Sequence, residues 1–380
     1  MQPGNPDLMA FICAKIRRDG PVPFAWFMEQ ALYHPDFGYY STGQCQIGRR
    51  GDYFTNVSVG PLFGRILAAQ FSEIWELMGR PGDFTLVEQG AHHGDFAKDV
   101  MEAARDRTPD FWAALRYCVV EPFPVLQARQ VETLRDFAGK MTWRKSLEEL
   151  PSFSGVHFSN ELLDSMPVHL VCREREGDWR EKFVAEGHDG FTFVVGELRN
   201  ERLRRRLFAI PEWGNERYET EVNLVALDWI GNVSEKLERG FILAVDYGFA
   251  RPDFYSEGRN AGTLQCYSAH RTVASPLTGV GRSDLTAHVE WTSIVEHAEK
   301  NGLRLAGFTD QHHFITGMLA LLDVRENERR AAQTLMHPEF LGTRFQYLAL
   351  GKNVSSAELS GFRFARDARK ALGLPPRTAP

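Results

Sequence analysis

The sequence predicts an α/β fold built around a mostly parallel sheet with helices on both faces. Two observations predict it. Between residues 84 and 167, short apolar runs alternate with helical stretches of about ten to fifteen residues, the pattern of strands joined by crossover helices. After a change of pattern, a further apolar run, GFILAVDYG (240–248), reads as another buried strand.

The elements follow in order. Residues 6–18 and 23–33 read as two helices, the second rich in aromatics. Residues 61–79 carry apolar side chains at helical spacing and stop at Gly79-Arg80-Pro81-Gly82. FTLVEQG (84–90) is the first strand and 94–106 a helix. LRYCVVEPF (115–123) is the second strand, followed by a helix in PVLQARQVETLRDFA. MTWRK gives a short third strand, and SGVHFSNELLDSMP (154–167) a strand that runs into a turn. Residues 168–198 read as β-hairpins turning at EGD and HDG, and a helix is expected near 216–238. DLTAHVEWTSIVEHAEKNG reads as an amphipathic helix capped by Ser283 or Asp284 and stopped by Gly302. LRLAGFTDQHHF and FQYLALGKN supply the last two strands. The expected organisation is a helical N-terminal segment at 1–80, a core at 81–175 and 240–355, an insertion at 176–239 and a tail at 356–380.

Composition narrows the function. With 380 residues, the chain can form one large domain with insertions or two smaller ones. It has 44 Lys+Arg against 50 Asp+Glu, and the net charge of −6 argues against a general nucleic-acid binder. No apolar run approaches the roughly 18–20 residues that span a bilayer, so no membrane partner is expected. The N-terminus lacks the pattern of a secretory or organelle leader. The five cysteines are scattered with no CxxC, which is neither a disulfide framework nor a zinc knuckle. A cytoplasmic location is therefore expected. Cys118 and Cys172 lie in apolar runs and read as core residues.

Metal binding is disfavoured as well. The pairs His92-His93 and His312-His313 are adjacent, not at the i, i+4 spacing that converges on a metal. His288 reads as a locally bonded helix residue. No GxSxG elbow or GxxxxGK[ST] loop occurs.

Ligands of open parallel sheets bind at the carboxyl ends of the strands, and four such ends carry polar residues here. The first is Glu88-Gln89-Gly90-Ala91-His92-His93-Gly94, an acid and a glycine-bearing turn opening a helix whose free N–H groups suit an anionic group. The second is Glu121, placed to accept two ribose hydroxyls. The third is the cluster Ser159-Asn160-Glu161 with Asp164, Ser165 and Pro167, which suits a cationic or hydrogen-bonding substrate. The fourth is Asp246-Tyr247-Gly248, where a ligand contact and a core-edge hydrogen bond are equally good readings. The basic run at Arg202, Arg204, Arg205 and Arg206 reads first as a solvated helix face.

These residues resemble the MidA family of class I S-adenosylmethionine-dependent methyltransferases, which includes the mitochondrial arginine methyltransferases that assist assembly of respiratory complex I. FAWFMEQALYHPDFGYYS is similar to the family's opening helix and GYY turn, and GDYFTNVSVGPLFG to its GDFxT segment. EQGAHHGDFAKDV resembles its E-x-G-x-G-x-G loop and SNELLDSMPVH its NE-x-x-D-x-x-PV signature. VDYG, GTLQCYSAH and DLTAHVEW also correspond. The resemblance implies a Rossmann-like core with a mostly parallel seven-stranded sheet, a helical lead and insertions. It implies S-adenosyl-L-methionine as cofactor, held by Glu88, Gly90, Ala91, His92, Gly94 and Glu121, with Gly51, Asp52, Thr55 and Asn160 close by. It places Asn160, Glu161 and Asp164 beside the methyl acceptor. An amine or hydroxyl acceptor would need one general base, for which Asp164, Tyr247 and His270 are the candidates in that order.

Two departures from the family pattern stand out. His92 occupies a position where the family has glycine, and Val57-Ser58 replaces a Pro-Glu pair. The expected activity is methylation of a nitrogen or oxygen of a protein side chain, arginine included, or of a small molecule. Alternatives are a catalytically weak or inactive assembly factor and, more remotely, a dinucleotide-dependent oxidoreductase. The insertion at 176–239 leaves a partner-binding role or a homodimer open.

Overall fold

The structure is a computed structural model that describes residues 3–43, 55–174, 177–212, 217–268, 271–273, 275–355 and 358–376. By contacts the chain divides into two compact units. One collects 1–54, 163–228 and 252–289; the other collects 55–162, 229–251 and 290–380.

The second unit is built on a sheet whose main path has seven strands among the described residues. In chain order they are β1 (Phe84–Gln89), β2 (Leu115–Val120), β3 (Met141–Arg144), β4 (Phe153–Asn160), β5 (Leu237–Phe249), β6 (Arg304–Asp310) and β7 (Phe345–Lys352). Their spatial order is 6-7-5-4-1-2-3. The pairs β3–β2, β2–β1, β1–β4 and β4–β5 are parallel, while β7 runs antiparallel to both β5 and β6. This seven-strand path is therefore mixed, with one reversed strand. The runs that read as strands do so because both faces are covered: β4 is buried at all but two of its eight positions.

Helices α1 (Leu62–Leu77), α2 (Asp95–Arg107), α3 (Pro124–Thr133), α4 (Trp291–Lys300), α5 (Gln311–Leu319) and α6 (Arg329–Met336) belong to this unit. Phe158 of β4 stacks on Phe96 of α2 at 4.6 Å and meets Phe71 of α1 edge-on at 5.6 Å. Helices α1 and α2 approach closely because Gly64 has no side chain; a Cβ there would lie 2.4 Å from Asp99 Cβ. Arg65 pairs with Glu328 in a buried ion pair, and its second amino group donates to the Asp323 carbonyl at 3.0 Å. No helix among the described residues is long and apolar enough to cross a membrane.

The first unit is a separate antiparallel arrangement. Strands 169–174, 180–187, 190–196 and 217–222, with the short strand 22–23, form its five-stranded sheet. Helices Pro6–Asp19 and Phe24–Tyr33 contribute Leu8, Ile12, Phe24 and Phe27 to a core shared with Leu170 and Val184. Asn5 caps the first helix by accepting from the Asp7 and Leu8 amides at 3.0 and 3.2 Å. Arg204 and Arg205 pair with Glu201, and Arg202 with Asp228, all at exposed positions worth about 0–1 kcal/mol each.

Three expectations from the sequence are corrected here. The helix near 216–238 is preceded by strand 217–222, in which Tyr218, Thr220, Glu221 and Val222 are buried, and Asn223 then caps helix Leu224–Lys236 by accepting from Ala226 N at 2.8 Å. The helix expected from Ser283 begins at Trp291, where Glu290 accepts from Ser293 N at 3.1 Å; residues 284–286 are instead held in a ladder with strand 265–268. His288 is accordingly outside any helix. Its amide donates to Thr263 Oγ1 at 3.1 Å, and burial lowers its imidazole pKa, with Arg259 adding to the effect.

Candidate active site

Register brings the predicted strand ends to one edge of the second unit. Gln89 pairs with Val120 on one side and Ser159 on the other, and Val245 pairs with Asn160. The turns that follow β1, β2 and β4 therefore start at one level. β5 continues past it, pairing Asp246 and Tyr247 with Gln346 and Phe345 of β7.

The loop after β1 runs through left-handed backbone at Gly90 (φ 85°), His92 (φ 47°) and Gly94 (φ 86°). A Cβ at Gly90 would sit 3.4 Å from Leu162 Cδ1, so the turn after β4 packs directly over the loop. Ala91 is buried. Gly94 begins α2 without a side-chain cap, leaving first-turn amides to be met by something else. His92 stacks on His93 at 3.7 Å. Left-handed backbone at 92 favours glycine, and histidine adopts it at a cost of roughly 1 kcal/mol. His92→Gly should accordingly keep S-adenosylhomocysteine affinity within about threefold, whereas β-branched His92→Val should weaken it more than tenfold. Calorimetric titration of the two variants distinguishes these cases; equal binding by both would remove the conformational explanation.

Two buried acids flank this loop. Glu88 accepts from the Tyr117 hydroxyl at 2.7 Å, and burial outweighs that bond to push its pKa up to about 7. Between roughly pH 4.5 and 7 the folded protein holds a proton that the unfolded chain has released. This group's stabilising protonation is thus present at low pH and lost as pH rises through about 7. Glu88→Gln should gain stability relative to the parent protein between pH 5 and 8, by up to about 3 kcal/mol. Urea unfolding at the two pH values measures the difference, and a constant offset would contradict it.

Glu121, at the end of β2, is also buried, and burial raises its pKa to about 7. Its Oε1 accepts from Phe123 N at 3.0 Å and its Oε2 from Gln130 Nε2 at 2.9 Å. Gln130 also donates to the His92 carbonyl at 2.8 Å and accepts from Trp143 Nε1 at 3.1 Å.

At the end of β4, Asn160 Nδ2 donates to Glu161 Oε1 at 2.9 Å, and Asn56 Nδ2 donates to Asn160 Oδ1 at 3.3 Å. Glu161 has φ 52°, a strained conformation for a non-glycine residue and one that clusters at functional sites. The turn is fixed from β5: Glu161 N donates to the Val245 carbonyl at 2.9 Å, and Leu162 N to Asp246 Oδ2 at 3.1 Å. Asp246 is fully buried and also accepts from Tyr247 N at 2.8 Å, so it acts on the backbone of this turn. The Tyr247 ring lies 4.1 Å from that of Phe345.

Thr55 is buried and exchanges bonds with Ser58: its amide donates to Ser58 Oγ and the Ser58 amide to Thr55 Oγ1, both at 3.3 Å. Ser58 thus closes the 57–59 turn. Asp164 is buried in the first unit, where its carbonyl accepts from Ala287 N at 2.8 Å. Gly51, Asp52 and His270 lie outside the described residues. Among the described residues no cluster of metal ligands occurs. Sequence reasoning missed Tyr117, Asn56, Gln130 and Trp143. Gln130 had one signal, since it sits between Leu126 and Leu134 on the apolar stripe of its helix.

The donor set suits S-adenosylmethionine: left-handed backbone without a Cβ at Gly90, uncapped helix amides for a carboxylate, and a buried acid for a ribose diol. A profile of S-adenosyl-L-methionine-dependent methyltransferases, Methyltransf_28, matches residues 66–309. The chain belongs to that family.

The methyltransferase is 30% identical to a Burkholderia thailandensis protein whose crystal structure holds S-adenosyl-homocysteine. The superposition has a TM-score of 0.85 and covers 97% of this chain and 99% of that one. It is 27% identical to the Drosophila melanogaster homolog of protein arginine methyltransferase NDUFAF7, over 94% of this chain and 88% of the relative. It is 24% identical to human NDUFAF7, over 96% and 87%. The methyltransferase uses S-adenosylmethionine as cofactor, and its core is the expected Rossmann-like class I fold. The fly and human relatives are named mitochondrial proteins, which overturns the cytoplasmic location expected from cysteine usage. Scattered free cysteines report a reducing compartment and do not tell one such compartment from another.

Proposed function

We propose that this methyltransferase modifies a nitrogen of a protein side chain, with arginine as the acceptor, and that the Asn160–Glu161 turn holds it. The observation that carries this reading is Glu161 itself, a carboxylate in strained backbone, braced by Asn160 and fixed from β5 at the edge that bears the cofactor loop. The relatives named as protein arginine methyltransferases support the same acceptor.

When bound, S-adenosylmethionine supplies an electrophilic methyl group on a sulfonium. Glu88, Gly90, Ala91, His92 and Gly94 shape the loop that holds it, Glu121 takes the ribose, and Thr55 and Asn160 border it. A guanidinium stays protonated at neutral pH, with a pKa above about 12, so it is a poor nucleophile until it sheds a proton. Glu161 orients it through charge-assisted bonds and takes that proton as the nitrogen is alkylated. Asp164, a candidate named from the sequence, is tested by its own asparagine substitution. Tyr247 serves as an alternative proton carrier for an amine or hydroxyl acceptor.

The test is transfer from methyl-labelled S-adenosylmethionine into extract proteins depleted of endogenous methylation, with modified sites mapped by mass spectrometry. The expected result is label on arginine side chains that depends on Glu161. Label confined to small molecules or to oxygen would overturn the acceptor. Cofactor binding with no transfer would favour the assembly-factor alternative.

A further inference from the structure

We propose that Gln130 is a positioning residue that aims the Glu121 carboxylate at the ribose and ties it to the cofactor loop. The inference rests on the reading that Glu121 holds the ribose.

The orientation of the Gln130 amide follows from its partners. Trp143 Nε1–H can only donate, so the oxygen of Gln130 must face it, at 3.1 Å. The amino end then faces two acceptors, the His92 carbonyl at 2.8 Å and Glu121 Oε2 at 2.9 Å. Both amide hydrogens are used, and the side chain is wholly buried. An amide held by three partners in a closed site has one arrangement, and it passes that arrangement to the carboxylate beside it.

The consequence for Glu121 is a matter of counting. A carboxylate offers about four lone-pair sites on its two oxygens. Phe123 N occupies one on Oε1 and Gln130 one on Oε2. One site remains on each oxygen, which matches the two hydroxyls of a ribose diol. The same amide holds the loop at His92, where the backbone is left-handed. Trp143 of β3, Gln130 of α3, Glu121 after β2 and the loop after β1 are thereby joined through one side chain.

The test is titration of the full-length protein with S-adenosylhomocysteine, 5′-methylthioadenosine and the 2′-deoxy form of the latter. Gln130→Met keeps the volume and removes the donors. It should weaken S-adenosylhomocysteine and 5′-methylthioadenosine by the same factor, roughly tenfold to thirtyfold. The preference for ribose over 2′-deoxyribose should shrink by about the same factor, a change that loss of packing alone would not produce. In a Glu121→Ala background, Gln130→Met should add less than about twofold. Trp143→Phe, which removes only the donor to Gln130, should cost several-fold in affinity, so the proposal can be judged even if Gln130→Met does not fold. Unchanged affinity and ribose preference in Gln130→Met or Trp143→Phe, with binding lost in Glu121→Ala, would overturn the role of Gln130 alone. Unchanged binding in Glu121→Ala would overturn the reading of Glu121 beneath it.

Discussion

Replacing Glu161 with glutamine lowers kcat by about 10²–10³ and leaves affinity for S-adenosylhomocysteine within about threefold. Glutamine keeps the shape of the side chain and an oxygen for Asn160 Nδ2 to meet at the same place. It removes the negative charge that orients a guanidinium and the site that takes its proton. The backbone of the turn should survive, because it is held by the Val245 carbonyl and by Asp246 and not by the side chain of residue 161. The effect should therefore appear in turnover and not in folding. Steady-state kinetics on the mapped acceptor, beside a calorimetric titration of the same variant, give both numbers. A kcat within threefold of the parent enzyme would move the proton acceptor elsewhere, with Asp164 the next residue to replace.

Glu121→Ala weakens S-adenosylhomocysteine binding by roughly 100-fold, close to 3 kcal/mol. That is the loss of two hydrogen bonds to a charged acceptor, at about 1.5 kcal/mol each. The parent protein should also show a pH dependence that the variant lacks. Burial raises the Glu121 pKa to about 7 in the unliganded protein, and the ionised form is the one that accepts two hydroxyls. Affinity should be highest above pH 7 and fall as pH drops through it, because the ligand must then also drive off a proton. Titrations at pH 6 and 8 test this, and an affinity that rises on acidification would have the wrong sign for the assignment.

The sheet was legible in the sequence because its strands are buried on both faces and bounded by glycine or an acid. FTLVEQG, LRYCVVE and GFILAV carry that signature locally. MTWRK was harder, since a four-residue edge strand buries little. The misread segments depend on distant partners. Residues 217–222 and 284–286 are strands because ladders with 169–174 and 265–268 take up their backbone groups, which no local window reveals.

The site divides in the same way. Glu121 and Glu161 drew attention because acids at strand ends are conspicuous, and the structure does put them where β2 and β4 end. Asp246 could not be given a role from sequence, because a ligand contact and a backbone contact need the same residue type at the same place. Its two oxygens accept from backbone amides on either side, and that became visible only with the fold. His92 stood out in the sequence as a side chain at a glycine position of the loop. Its backbone is left-handed, with φ 47°, a feature that the sequence alone does not show. Ser58 changed meaning likewise, from a lost carboxylate to the partner of Thr55 in a tight turn.

The most direct measurement is a crystal structure of the protein with S-adenosylhomocysteine. The account predicts both ribose hydroxyls on the Glu121 carboxylate, the amino-acid end over the loop from Gly90 to Gly94, and the sulfur facing the Asn160–Glu161 turn. A ligand whose ribose lies away from Glu121, or whose sulfur faces away from Glu161, would contradict it.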